Sequence, residues 1–468
     1  MAAGRPRVDR SAPPPAREIH PFRFPHFLRA RLANGLAVVA ARLAGLPLVS
    51  MELIAPAGAQ YEPAGSSGTA TLTAGLLDEG TTHRSALEIA ATAERLGGYL
   101  LTGADWDVGY ISTGLLSSHR REGLELMADV AVAPSFPPNE IERLRGLRLS
   151  EILRRRQDPS ALADDRFQGV LYRGTLYAHP LYGTQEHVSR LDRESLVGFY
   201  QEHYGFEGST LIAVGDLDPE ELLREAEAVF GPAGSSGPAP ARPEIRPTPL
   251  ESVEVHLVDR PGAAQTELRL GHMGIPRTHP DYIPLLVLNT LLGGKFTSRI
   301  NLNLRERHGY TYGASSRFSS RQGPGPFTVT AAVETASAAA AAREVLHEVR
   351  RVRETLAEPE EVAETCGYIV GVFPYSLQTV GDITRRLETL NVFGLPDDYY
   401  DHYLEKIAAV TREEIREVAR RHLDPERMAV VAVGPAEILE PQFEGLGPVT
   451  VWSPEGEPRA AQPLRASI

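Results

Sequence analysis

The feature that most restricts what this 468-residue chain can fold into is a repeat within it. At a constant offset of 219, Arg193, Glu194, His203, Glu207, Ala213, Val214 and Gly215 coincide with Arg412, Glu413, His422, Glu426, Ala432, Val433 and Gly434. In each copy a charged helical stretch leads into an apolar strand ending in Val-Gly. Likewise Leu76 to Gly80 parallels Leu291 to Lys295, each closing an apolar helix beneath a turn. Between the copies lies 232–250, PAGSSGPAPARPEIRPTPL, whose six prolines and lack of apolar periodicity mark an extended, semi-stiff linker. The reading is an α+β chain of two homologous halves, 20–231 and 251–450, each an antiparallel sheet with helices packed on it, facing each other as a clamshell. A disordered tail over 1–19 and a C-terminal tail over 451–468 flank them.

Local signals place the elements. Asn34-Gly35 between apolar runs is a hairpin turn, and Tyr99 to Leu116 alternates as a strand. Ser85 with Glu88 forms a capping box opening a helix that Gly97-Gly98 ends. Ser118 to Ala133 reads as helix, and Pro137-Pro138 starts a long charged helix through Arg156.

Composition removes several function classes. Lys and Arg number 48 against 61 Asp and Glu, a net charge of −13, which argues against nucleic acid and anionic membranes as partners. No run reaches the length of a membrane span. One cysteine, Cys366 in an apolar-flanked run, excludes a disulfide framework and a multi-cysteine zinc site, and reads as a buried inert thiol. The first twenty residues hold four Arg but no apolar signal core, and Pro13 to Pro15 break any amphipathic helix. The expected compartment is the cytoplasm, with the periplasm as the alternative.

The most informative stretch is Leu291 to Tyr312, LLGGKFTSRINLNLRERHGYTY. Gly293-Gly294 opens a polar turn, and a run with helical spacing (Ile300, Leu302, Leu304) delivers Arg305 seven residues before Tyr312. His308, Gly309 and Tyr310 end that helix, so Tyr312 falls on the following strand, Thr311 to Phe318. A guanidinium and a phenol at one helix-to-strand junction can both donate to one carbonyl or oxyanion. They can equally be a solvated helix-end Arg and a packing Tyr.

The string NxxLGGxxxSRxxxxLRExxGYxY resembles the C-terminal half of the inverzincin peptidases, the clan of mitochondrial processing peptidase, pitrilysin and insulin-degrading enzyme. The resemblance covers roughly 25–450. It implies that Arg305 and Tyr312 bind the scissile carbonyl, with Gly293, Gly294 and Ser298 as further substrate-binding positions. It also implies H-x-x-E-H on the first helix of the N-terminal half, two His to hold Zn²⁺ and a Glu to polarise water. Here that helix reads GTATLTAGLLDEGT from Gly68, so Thr71 and Gly75 replace the histidines and Ala74 the glutamate. None of the three can ligate zinc usefully or act as a base. Glu151 falls where the family's third ligand would, among Arg148, Arg154 and Arg155, where a salt-bridged helix glutamate is the plainer reading. His179 and His187 flank a Pro/Gly loop on which a metal site is conceivable, and GSSG at 65–68 reads as a turn, not a phosphate cradle.

The chain therefore resembles the zinc-free subunit of bacterial heterodimeric members. That resemblance implies a metalloendopeptidase half that is inactive alone. It would need no cofactor of its own and would act on peptide or unfolded polypeptide beside a sister with an intact H-x-x-E-H that carries the Zn. The alternative is a catalytically inactive assembly protein of the same fold, similar to the core subunits of respiratory complex III.

Overall fold

A computed structural model describes residues 23–233 and 237–459. The expected tail over 1–19 lies outside the described residues. Among the described residues, twelve strands form two sheets of six. The first is built from β1 (Phe27–Arg31), β2 (Ala37–Arg42), β3 (Leu48–Ala55), β4 (Tyr99–Ala104), β5 (Gly109–Leu116) and β6 (Thr210–Gly215). The second comprises β7 (Glu254–Asp259), β8 (Gln265–Met273), β9 (Thr311–Phe318), β10 (Pro326–Glu334), β11 (Ala429–Gly434) and β12 (Val449–Trp452). Their orders, β1-β2-β6-β3-β5-β4 and β12-β7-β11-β8-β10-β9, correspond over five strands, while the outermost differ: β1 precedes β2 and pairs with it antiparallel, and β12 ends the chain and pairs with β7 in parallel. The sheets are antiparallel except where a strand returns after the helices of its half, β6 beside β2 and β11 beside β7, and where β12 joins β7 in parallel.

Two expectations change. Tyr99 to Leu116 is two antiparallel strands and not one, because the Asp105 carboxylate accepts the backbone N–H groups of Asp107 and Val108 and turns the chain there. Residues 451–459 are no tail: β12 pairs with β7, and the Trp452 indole N–H donates to His256 beneath the Arg166 guanidinium. The Pro-rich segment is extended from 237 onward, but it is seated, with Ile245 and Leu250 buried. Cys366 is buried, and burial pushes its thiol pKa up.

Each sheet buries both faces, as the pleat's alternation requires of β-rich apolar runs such as AVVAVG. On the first sheet, Val38, Ala40, Met51, Leu53, Leu211 and Ala213 meet helices of their own half. The opposite residues, Val39, Ala41, Ile54, Ile212 and Val214, meet Ile383, Leu387 and Leu390, on the helix Val380–Val392 of the second half. The second sheet mirrors this. Val255, Leu257, Val430 and Ala432 face their own helices, while Ala429, Val431 and Val433 are covered by Leu162, Ala163, Phe167 and Val170 of the helix Pro159–Leu171, from the first half. The halves thus exchange helices. Each fully buried Leu, Val or Phe in these layers contributes roughly 1.5–3 kcal/mol. Between the exchanged helices, Arg321 lies against the rings of Trp106, Tyr172 and Tyr177, and Gln322 donates its backbone N–H to Asp107 at 3.1 Å.

One exchanged contact is charged. Glu52 on β3 and Glu388 on the helix Val380–Val392 lie near each other. Burial raises their carboxyl pKa values to about 7 and about 8, with Arg385 opposing the rise and Asp105 adding to it. Both folded values exceed the ordinary 4.5, so the folded state keeps protons that the unfolded chain has released. Stability is then greatest below about pH 4.5 as far as this pair is concerned, and falls as pH rises towards 8. Glu388→Gln is expected to raise the Tm at pH 8 by ~2–4 °C and to leave it nearly unchanged at pH 4. Thermal melts at the two pH values check this, and an equal shift at both would refute it.

Candidate functional site

The helix Tyr282–Asn289 does not stop at its last α turn. It continues as a π turn over Thr290–Gly294, which presses flat onto β9. Gly293 allows this, since a Cβ there would stand 2.3 Å from the Ser316 hydroxyl. Asn289, buried beneath, locks the contact by donating to the Ser316 carbonyl at 3.0 Å and accepting from its hydroxyl at 2.8 Å. After Ser298 one α turn, Arg299–Asn301, leads into a second π turn, Leu302–Arg307. Buried Arg299 is forked onto Glu361 at 2.7 and 2.6 Å, and Asn303 donates to Glu344 and Glu348. These polar anchors fix an irregular backbone in place. Single π turns of this kind concentrate where a helix must present a side chain off its regular face.

Arg305 sits on the second π turn, half-exposed, its guanidinium 4.6 Å from the centroid of the Phe296 ring and its Nε 3.6 Å from Glu306. Tyr312 lies on β9, which ends the sheet with one edge unpaired. There the ladder carries a bulge: Thr311 pairs with Val333 and Ala314 with Ala331, so Tyr312 and Gly313 together oppose Ala332. The Thr311 hydroxyl donates to the Ala332 and Gly313 carbonyls, and Asn301 Oδ1 accepts the Ala314 N–H at 2.9 Å. Bulges re-aim side chains, and this one leaves Tyr312 90% exposed. Arg305 and Tyr312 share no hydrogen bond; both present donors to solvent from the same end of the second sheet. Of the other expected substrate contacts, Gly294 is exposed. Gly293 and Ser298 are buried, so their place is in packing the turn, not on a surface that a substrate reaches. Asn289, Asn301, Arg299 and Asn303 escaped the sequence reading. Their signal was the unusual density of Asn and Arg in an otherwise apolar helical run.

The first half has the counterpart helix, Thr69–Leu76. Buried Glu62 anchors its start, accepting the N–H groups of Gly68 at 3.0 Å and Ala70 at 2.8 Å, and burial raises its pKa to about 8. The Thr71 hydroxyl is turned back onto the Gly68 carbonyl, Ala74 is fully buried, and Gly75 faces the Leu144 side chain across to the helix Pro138–Arg155. Glu151 on that helix is held by a two-pronged contact to Arg154 at 2.9 and 2.6 Å, which lowers its pKa. The donor set at these positions does not suit a zinc ion. In the histidine loop, His187 pairs with the Ser67 hydroxyl at 2.7 Å, and His179 stands 3.4 Å from Glu62. Among the described residues one His/Asp group has metal-like spacing: His279, Asp281 and His422. Its shared carboxylate oxygen is already taken by His422 and the Arg421 guanidinium, which makes it an ion cluster at a helix start.

Two family profiles match the chain: one described as insulinase (peptidase family M16) over residues 38–185, and one as the peptidase M16 inactive domain over 190–366. An uncharacterized zinc protease of Streptomyces coelicolor is 25% identical over 413 residues, 87% of this chain and 89% of that protein. One of Mycobacterium tuberculosis is 28% identical over 412 residues, 87% of this chain and 93% of its own. Among solved structures, a peptidase M16 inactive domain from Pseudomonas fluorescens matches with a TM-score of 0.83 at 26% identity, covering 88% of this chain and 98% of that one. A protease from Helicobacter pylori shares the fold, with a TM-score of 0.84 at 18% identity over 88% of this chain and all of the other.

Proposed function

The chain belongs to peptidase family M16, and on that premise we propose that it is the non-zinc subunit of a two-chain metalloendopeptidase, binding the scissile carbonyl for a sister subunit that holds the metal. One observation carries this reading: the two halves are unequal in chemistry. The N-terminal helix offers Thr71, Ala74 and Gly75 where metal and base would stand. The C-terminal half spends two π turns, a bulge and a set of buried polar anchors to hold Arg305 and Tyr312 out to solvent. A protein that only needed the fold would have no use for that arrangement, which weighs against the assembly-protein reading.

Zinc in the sister chain would supply the activated water. This chain's part is electrostatic. Arg305 offers a planar fork of N–H donors and Tyr312 a phenol O–H, so both can point donors at a carbonyl oxygen whose charge grows in the transition state. Stacking on Phe296 orients the guanidinium while leaving it free of any buried ion pair. A peptide or unfolded polypeptide entering beside β9 would bring its carbonyl to this edge.

The test is reconstitution. Alone, the chain is expected to hold no stoichiometric zinc and to cleave no peptide. Mixed with a sister carrying H-x-x-E-H, it should form a stable complex with an activity that neither has separately, and the zinc should track the sister. Elemental analysis showing one tightly held zinc on this chain alone, or a sister fully active without it, would overturn the proposal.

A further inference from the structure

A second site stands apart from the Arg305 edge. We propose that the cavity at Arg277 binds a carboxylate carried on a short apolar body. The cavity is about 570 Å³, formed by the loop that leaves β8, the first turn of the helix Tyr282–Asn289, the loop before Tyr399 and the helix Tyr403–Ala408 with the residues after it. That volume is in the range of ordinary small-ligand sites.

Arg277 is 6% exposed and lines this cavity. Its guanidinium carbon lies 3.6 Å from the centroid of Tyr282 and 5.0 Å from that of Tyr399, and Nη2 donates to the Tyr399 hydroxyl at 3.0 Å. No carboxylate among the described residues forms an ion pair with it. Burying a charge without a counter-charge is costly, and buried arginines ordinarily have one. Two of the three other buried arginines of this half follow that rule, Arg269 paired with Asp164 and Glu267 and Arg299 with Glu361, while Arg321 is packed among three rings with its charge felt by the nearby Asp107 carboxylate. Arg277 instead has two rings, one phenol and an open cavity.

The rest of the lining defines the ligand. Lys406 is a second cation without an ion-pair partner among the described residues, and Ile283, Leu395, Pro396 and Val410 provide apolar walls. The one acid of the lining, Glu414, is turned to its own helix start, one oxygen accepting the Thr411 N–H and hydroxyl at 2.8 and 3.0 Å, and it forms no ion pair with Arg277 or Lys406 among the described residues. A planar carboxylate matches the guanidinium fork, and a branched aliphatic body of a few carbons fits the walls.

The experiment titrates 4-methylpentanoate into the full chain by calorimetry, with 4-methylpentanamide as the neutral, same-shaped control. The acid is expected to bind at least ~10-fold more tightly than the amide, since charge-assisted hydrogen bonds carry that much. Arg277→Gln should abolish the preference. Because Arg277 is buried and its loss can unsettle the fold, Ala409→Trp provides a second variant: Ala409 lines the cavity but is exposed, so a bulky ring there should block binding of the acid with the melting temperature retained. A peptide with a free C-terminal Leu, run beside its amidated form, identifies the source. Binding of the free-ended peptide supports the site as one for chain termini, and its failure beside a binding acid supports it as one for small acids. Equal binding of acid and amide, no binding of the acid at millimolar concentration, or undiminished binding by a folded Ala409→Trp variant would overturn the proposal.

Discussion

Tyr312→Phe and Arg305→Ala, each placed in the assembled two-chain enzyme, are expected to lower kcat by about 10²–10³-fold, the usual cost of removing one preorganised oxyanion donor, while KM moves little. The split follows from the role. Interactions that strengthen as charge develops in the transition state appear in kcat, whereas uniform binding would appear in KM. Tyr312 suits the test unusually well: at 90% exposure its ring packs against little, so removing the hydroxyl opens no cavity. Arg305→Lys should be nearly as damaging as Arg305→Ala, because an ammonium keeps the charge but loses the planar fork stacked on Phe296. Zinc content of the sister should not change in any variant. Near-normal turnover by a correctly assembled double variant would remove the chemistry assigned to this chain and put the assembly-protein reading ahead.

The second large effect concerns the exchange of helices. Neither half, expressed alone, is expected to fold cooperatively. The first would expose the apolar face of Pro159–Leu171 and leave Val39, Ala41, Ile212 and Val214 uncovered, and the second would bare Ala429, Val431 and Val433. A protease cut placed in the extended segment 237–243 of the intact protein should instead leave the two pieces associated, with one shared thermal transition. Leu387→Ala, at a residue 1% exposed on the exchanged helix, should cost about 2–5 kcal/mol and destabilise both halves together. Calorimetry decides the matter: two separate transitions in the intact chain, or a soluble, cooperatively melting first half, would show that the exchange is not what couples them.

The sequence carried the local parts of this structure well. Asn34-Gly35 does turn β1 into β2, the capping box at Ser85 is formed, and the strand expected from Thr311 to Phe318 is β9. These are short-range signals, set by turn and cap chemistry that a few neighbouring residues decide. The Asp105 turn was equally local, but the alternation running through it hid the break. What could not be read was long-range. An apolar face on Val380–Val392 says that the helix is buried, not that it is buried against the other half's sheet. At the candidate site, the positions of Arg305 and Tyr312 on a helix end and a strand start were legible, whereas the π turns and the bulge were not. Both irregularities depend on pairings between residues tens of positions apart, such as Asn289 with Ser316 and Thr311 with Ala332.

The exchange also imposes an order on synthesis. By the time Gly215 leaves the ribosome every strand of the first sheet exists, yet the helix that must cover its second face begins only at Val380. At ordinary elongation rates of about 5–20 residues per second, that face waits on the order of ten to thirty seconds with Val39, Ile212 and Val214 bare to water. The chain is at its stickiest in the middle of its own translation, and its first half reaches its native burial only when the second is nearly made.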